Sequence, residues 1–385
     1  MPSDRPIHER WIPVAFGALD VRSTASMVPE AEILVAPTIP APAVCLVGEA
    51  AELWRDLVQG GPASPLDLSP SQNDLLEQLA DAGLVALGPA HPAAVTSLDA
   101  PSLSSPPHEL VYALVHRVAA EAGIRCLFIK GPALFHQGLR THEHSGDVDV
   151  WCDPDRWDDL AAALEPWGWA RQPDPWRGTP IHHTATMTPT TWGCEIDVHR
   201  RLPGLTLADR EAFAAVWNRT TRVRYAGVEV AVPDSSTHAV LAAVHAVRPE
   251  IGAGPRTERA SALATALLSS APDSLARATD VGALAVLDAE LSAVSGTRIE
   301  ISPQAKPHDW EWRGSRNRLH AYWTALQTLP PLTRFRVAAR LLWPDDDVAL
   351  ASERRAGRSA KSASSARRRR LIRAAWSWAR GRLHG

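Results

Sequence analysis

The chain has 385 residues, more than one ordinary domain needs, so two or three units are expected. Hydrophobic residues make up 45% of it, enough to fill cores, yet no stretch approaches the roughly eighteen uninterrupted apolar residues of a membrane-spanning helix. The formal net charge is only −3 but is unevenly placed, because eleven Lys/Arg and a single Glu follow position 350 and leave a mildly acidic body ahead of a basic tail.

Cys45, Cys126, Cys152 and Cys194 form no CxxC pair, which speaks against a zinc ribbon or a disulfide framework and for a reducing compartment. The opening MPSDRPIHERW is charged and lacks the apolar core of a signal peptide, so a cytoplasmic protein is expected.

Residues 1–87 read as one small unit. AEILVAP and PAVCLVG are short strands. GEAAELWRDLVQGG is a helix with Ala50, Leu53, Trp54, Leu57 and Val58 at helical spacing. A second helix follows, with Ser69 as N-cap, Pro70 as first helical residue and Gly83 as the stop before a small strand. This order suggests a winged-helix-like domain. Residues 88–107, rich in Pro, Ser and Ala, read as a linker.

Residues 108–233 read as an α+β core with a mixed sheet. A helix from His108 to Ala122 precedes the strand IRCLFIKG, and PALFHQGL is a helix opened by Pro132. GDVDVWCD is the next strand and PDRWDDLAAALEPWGW the next helix. IHHTATMT and GCEIDVHR form a hairpin around TPTTWG. Residues 234–350 read as a helical lobe, starting with DSSTHAVLAAVHAV and continuing through helices at 259–270, 274–295, 316–329 and 332–342. In the tail, 351–385, KSASSARRRR is expected to be disordered and LIRAAWSWARGRL to form a short basic amphipathic helix.

Side chains two apart on a strand share a face. Asp147 and Asp149 therefore point one way, with Val148 and Val150 behind them. Glu195, Asp197 and His199 repeat the pattern, backed by Ile196 and Val198. If these strands are neighbours, three or four carboxylates converge, an arrangement that favours a divalent, oxygen-loving cation such as Mg²⁺. The alternative is an ordinary half-buried strand with its acidic face in water.

KGPAL, GLR and GDVDV, then EIDVHRRL, then DSSTHAVLAAVHAV together resemble the nucleotidyltransferase superfamily of DNA polymerase beta. More narrowly they are similar to the bacterial group labelled uncharacterised nucleotidyltransferase, whose Pro-containing end RLLWPDDDVALASER also resembles. The resemblance spans roughly Glu109 to Arg355. It implies that Asp147 and Asp149 hold two Mg²⁺ ions, and that Asp197 holds one of them and helps deprotonate the acceptor. It also implies that Gly131 lets the backbone approach a triphosphate and that Lys130 and Arg140 neutralise phosphate oxygens. CLVGEAAELWRDLVQGG followed by LLEQLADAGLVAL resembles the PqqD-like winged-helix fold, whose members bind leader peptides of ribosomally made natural products by strand addition.

The resulting expectation is Mg²⁺-dependent transfer of a nucleoside monophosphate from an NTP, ATP first, to an acceptor that is a peptide, a protein or a small molecule. Two other readings stay open: a peptide-binding scaffold with an inactive transferase domain, and an RNA-modifying or toxin-type nucleotidyltransferase using the basic tail and Trp376 and Trp378. His142, Glu143 and His144, with His182 and His183, are a weaker candidate metal set. His199 is expected to orient Asp197 or meet a phosphate, and His238 and His245 to pack at the core edge. P-loop, Rossmann and nucleophile-elbow signatures are absent from the sequence.

Overall fold

The computed structural model of the protein describes residues 9–24, 30–251, 256–301, 307–355, 357–359 and 361–383. Strands β1 (Arg10–Pro13), β2 (Gly17–Asp20), β3 (Ile33–Ala36) and β4 (Val44–Leu46) lead into helices α1 (Gly48–Gly60) and α2 (Pro70–Asp81), and β5 (Val85–Gly88) returns to pair with β1. β2, β3 and β4 form a separate antiparallel sheet. Helix α2 starts as its sequence dictates. Ser69 and Gln72 exchange side-chain-to-backbone bonds in a capping box, with Pro70 in the first turn. Trp54 is fully buried and its indole N–H donates to Leu84 O at 2.8 Å.

β3 is buried along its whole length, and its alternation serves two cores. Ile33 and Val35 pack with Trp54 and Leu57, whereas Leu34 and Ala36 pack with Leu110 and Ala113 of helix α3 (Pro106–Glu121). A Cβ at Gly17 would lie 2.8 Å from Ala113 Cβ, so the β2 backbone rests directly on α3. The connecting segment before α3 has no long element of its own but is fastened. Ala94 and Asp99 bridge to Val14 and Leu19, and Leu103 is buried. The Glu109 carboxylate accepts the backbone N–H groups of Ser102, Leu103 and Ala226.

The core continues with β6 (Cys126–Ile129), α4 (Gly131–His136), β7 (Asp147–Cys152), α5 (Trp157–Leu164), β8 (Trp169–Arg171), β9 (Thr184–Pro189) and β10 (Glu195–His199). The sheet order is β6-β7-β10-β9-β8, a mixed sheet in which β7 and β10 run parallel and the other pairs antiparallel. One face, with Phe128, Val148, Val150, Ile196 and Val198, packs in a common core with residues of α3 and α5. Leu127, Ile129 and Trp151 belong to the opposite face and join the core of the helical lobe. That second face also carries Asp149, Asp197 and His199.

Helix α6 (Asp209–Trp217) and the hairpin β11 (Thr220–Tyr225) and β12 (Val228–Pro233) follow, with Ala226 and Gly227 both at positive φ in its two-residue turn. Neither α6 nor this hairpin is among the elements expected from the sequence. The lobe then comprises α7 (Ser235–Val247), α8 (Glu258–Ser269), α9 (Ser274–Asp280), α10 (Leu284–Ser295), α11 (His308–Arg313), α12 (Arg318–Gln327) and α13 (Pro331–Leu342). Asp234 caps α7 by accepting the Thr237 N–H at 2.7 Å. The single helix expected over 274–295 is two. Gly282, at φ +73, breaks it because its carbonyl accepts both the N–H and the hydroxyl of Thr206, and a Cβ there would sit 2.7 Å from Thr206 Oγ1.

The tail also departs from expectation. After α14 (Asp346–Arg355), α15 (Ala363–Leu383) starts inside the segment expected to be disordered. The physical reason is charge pairing. Arg373 and Arg369 bridge the buried Glu353 of α14, and Arg367 bridges Asp346. Among the described residues no helix is long and apolar enough to cross a membrane.

Candidate active site

The parallel register of β7 and β10 sets Asp149 beside Asp197, and Asp147 beside Glu195. Asp149 is only 3% exposed. Its Oδ1 accepts the Lys130 ammonium at 2.6 Å and the His199 Nε2–H at 2.7 Å. Burial by itself would raise its pKa, but the His199 hydrogen bond and the Lys130 charge together outweigh it and hold the carboxyl well below the usual carboxylate range. Asp197 accepts the Thr186 hydroxyl at 2.6 Å. One ligand atom from each of Asp149, Asp197 and His199 lies within 4.8 Å of the others.

Asp147 stands outside that group, one step along β7, with its Oδ1 accepting Ser145 Oγ–H at 3.0 Å. Burial, then the negative charges of Asp149 and Asp197, push its pKa upward. The two aspartates of one motif thus differ: Asp149 is paired with the Lys130 ammonium and the His199 imidazole, whereas Asp147 bonds the Ser145 hydroxyl. Glu195 is exposed and receives Gln172 Nε2–H at 2.8 Å, so the fourth carboxylate is drawn sideways. His199 bonds Asp149, not Asp197 as the sequence suggested, and its Nδ1 meets the Thr184 hydroxyl at 2.9 Å.

Lys130 has φ 62 and ψ −153, a region almost reserved for glycine. Two bonds hold it there. Its side chain pairs with Asp149, and its backbone N–H donates to His238 Nε2 at 2.8 Å. His238 donates from Nδ1 to Gln137 Oε1 at 2.7 Å, and Gln137 in turn donates to Pro233 O. Burial pushes the His238 pKa down to about 3, which keeps the ring neutral and Nε2 free to accept. His238 therefore supports the site rather than merely packing beside it. His245, pushed to about 3 chiefly by burial, lines a small cavity of about 20 Å³ behind Lys130 and His199.

Gly131, at φ 50, adjoins Tyr112, whose hydroxyl would lie 2.9 Å from an added Cβ. Arg140 is not brought to the acidic group. Its guanidinium donates to His142 Nε2 at 2.9 Å and to His144 O at 2.8 Å, folding the 139–146 loop on itself. Glu143 accepts the Ser104 N–H and hydroxyl. His182 stacks edge-on to Trp157 and lies 3.9 Å from Asp174. His142, Glu143 and His182 of the histidine-rich candidate metal set thus have other partners, and the potential metal group among the described residues is the one around Asp149.

Lys130, Thr186, Asp197 and His199 open onto a cleft of about 300 Å³ whose far side is formed by Trp176, Arg248, Trp312 and Arg313. The two arginines come from the end of α7 and from α11, and no motif in the sequence singled them out.

Residues 110–257 match the model of the family described as "Uncharacterised nucleotidyltransferase". The matched segment runs from α3 past α7 and contains Lys130, Gly131, Arg140, Asp147, Asp149 and Asp197; it spans well under half of the chain. The protein is an enzyme of the nucleotidyltransferase class by virtue of this domain, with an α+β fold. A solved structure titled "tRNA-processing enzyme (apo form I)" aligns over 62% of this chain and 79% of that one at 15% identity, with a TM-score of 0.21. No curated protein matches the chain.

Proposed function

We propose that the domain transfers a nucleoside monophosphate from an NTP, ATP being the expected donor, to an acceptor nucleophile, with pyrophosphate leaving. The observation that carries this reading is the pairing of Asp149 with Asp197 on parallel strands, with Asp197 lining the cleft and Asp147 one step along β7.

The residues fit a divalent cation. Asp149 and Asp197 lie side by side with Asp147 one step along β7, and burial, then the charge of Asp149, raises the Asp147 pKa, a cost that a bound cation would offset. Asp147, Asp149 and Asp197 would hold Mg²⁺, an ion that prefers oxygen ligands and that supplies charge neutralisation to phosphate oxygens when bound. The chain's own groups do the rest. His199 and Lys130 fix the rotamer of Asp149, and Thr186 fixes Asp197. Lys130 presents positive charge at the cleft wall, where it would stabilise developing negative charge. Asp197 faces the cleft and is the candidate to take the acceptor's proton. Catalysis of this kind rests on positioning and charge rather than on a covalent intermediate.

A peptide acceptor is the favoured context, on the N-terminal resemblance to PqqD-like domains. β4 is an outer strand of its sheet and carries the exposed Cys45, an edge to which a peptide strand could add. RNA capture by the tail is less favoured, because Arg367, Arg369 and Arg373 are already engaged by α14.

The test is the product released from ATP in the presence of Mg²⁺. Pyrophosphate should appear, and Asp197→Asn should reduce it at least a hundredfold. Release of orthophosphate alone, or an unchanged rate in the variant, would refute the reading.

A further inference from the structure

The far wall of the cleft carries more positive charge than the fold neutralises. Arg201 follows β10, Arg248 caps α7 and Arg313 ends α11. One buried carboxylate, Asp309, serves two of them: Arg201 Nη2 at 3.3 Å and Arg313 Nε at 3.9 Å, the second too long for a hydrogen bond. Among the described residues Arg248 has only Glu250 as an ion-pair partner, at 3.6 Å and 74% exposed on its side chain. The Nε atoms of Arg201, Arg248 and Arg313 are all buried without a hydrogen-bond partner among the described residues. Arg313 is 6% exposed and lines the cleft together with Arg248.

Buried guanidinium groups are normally paired, because an uncompensated charge in a low-dielectric site is costly. Here burial, and then the charge of Arg248, lower the Arg313 pKa to about 10, so the group still carries its charge at neutral pH. The same charges surround His183, whose pKa burial, and then Arg313, press well below normal. A fold that sets three arginines against Asp309 and the exposed Glu250, with Arg248 and Arg313 on a cleft wall, is arranged for an anion supplied from outside. The guanidinium fork suits phosphate oxygens, and Trp312, whose ring lies 4.9 Å from the Arg313 guanidinium carbon, stiffens the wall.

We infer that Arg248 and Arg313 form an anion subsite that binds a phosphate group of a substrate held in the same cleft as Asp197. The inference rests on the transferase reading only in naming phosphate as the anion. Two substrates could supply the phosphate: the polyphosphate tail of the donor, or a phosphate on the acceptor.

The experiment is calorimetric binding of inorganic pyrophosphate to the full chain in EDTA, followed by ATP under the same conditions. Wild type should bind pyrophosphate, with affinity falling as salt rises, and Arg248→Gln should weaken that binding at least tenfold. Arg313→Lys keeps a charge in the buried position and should weaken it less than Arg248→Gln, which guards against reading misfolding as lost binding. Asp197→Asn removes a negative charge from the same cleft and should not weaken pyrophosphate binding in EDTA, so failure of the transferase chemistry and failure of this subsite give different results. If Arg248→Gln weakens ATP in parallel, the donor tail occupies the subsite; if ATP is unaffected, the acceptor's phosphate does. No pyrophosphate binding by folded wild type, or equal affinity in folded Arg248→Gln, overturns the inference.

Discussion

His199 donates to the same Asp149 oxygen that receives the Lys130 ammonium, at 2.7 and 2.6 Å. One carboxylate oxygen thereby joins β6, β7 and β10, and the neighbouring Asp147 has no such cation. The two aspartates should respond differently to the same substitution.

Asp149→Asn removes a buried charge that the half-buried Lys130 and the buried His199 face, so it should destabilise the protein by about 3 kcal/mol. Asp147→Asn removes a carboxylate whose ionisation burial and its neighbours oppose, so it should be neutral or slightly stabilising. Both should lose transfer activity. Denaturant melts of the two variants check this, and equal destabilisation would contradict the asymmetry.

Lys130 combines a glycine-like backbone with a functional side chain. Lys130→Ala keeps the backbone strain and loses the ion pair, whereas Lys130→Gly loses both. The glycine variant should therefore be the more stable of the two by about 1 kcal/mol or more, with both low in activity. Equal midpoints in urea would show that the backbone is not strained there.

His238 and His245 are buried neutral, with pKa values near 3 against an ordinary 6.5. Between those values the unfolded chain binds protons that the folded chain refuses, so stability should fall as pH drops from about 6.5 towards about 3. Asp149 works in the same direction further down: its stabilisation is present above the unfolded carboxylate pKa of about 3.9 and is lost only as pH falls through its depressed folded value. His238→Gln should flatten the slope of melting temperature between pH 7 and 5. An unchanged slope would mean that this ring is not the group that titrates.

Substituting Gly131 by Ala combines an unfavourable φ with a Cβ placed 2.9 Å from the Tyr112 hydroxyl. A loss of about 1–3 kcal/mol is expected, read as a lower urea midpoint. A midpoint equal to wild type would show that Tyr112 can yield at no cost.

The alternation in GDVDVWC and EIDVHR was enough to say which side chains share a face, because that depends only on strand periodicity. That β7 and β10 lie side by side and parallel is a pairing across some fifty residues, which local pattern does not encode. The bond from His199 to Asp149 follows from that pairing, and so could not be read in advance. The β11–β12 hairpin was different. Val223, Tyr225, Val228, Val230 and Val232 alternate around an Ala-Gly turn, a signal that local pattern does carry. The break at Gly282 depends on Thr206, far away in the chain, and the order of α15 on acids in α14. Arg248 and Arg313 come from two separate helices, so the anion wall exists only once the lobe has folded.

ATP binding by calorimetry, with and without Mg²⁺, on wild type and Asp147→Asn, tests the central claim most directly. The account predicts that Mg²⁺ strengthens ATP binding to wild type at least tenfold and that the gain disappears in a folded Asp147→Asn protein. A folded wild type indifferent to Mg²⁺, or a variant that keeps the full gain, would contradict it.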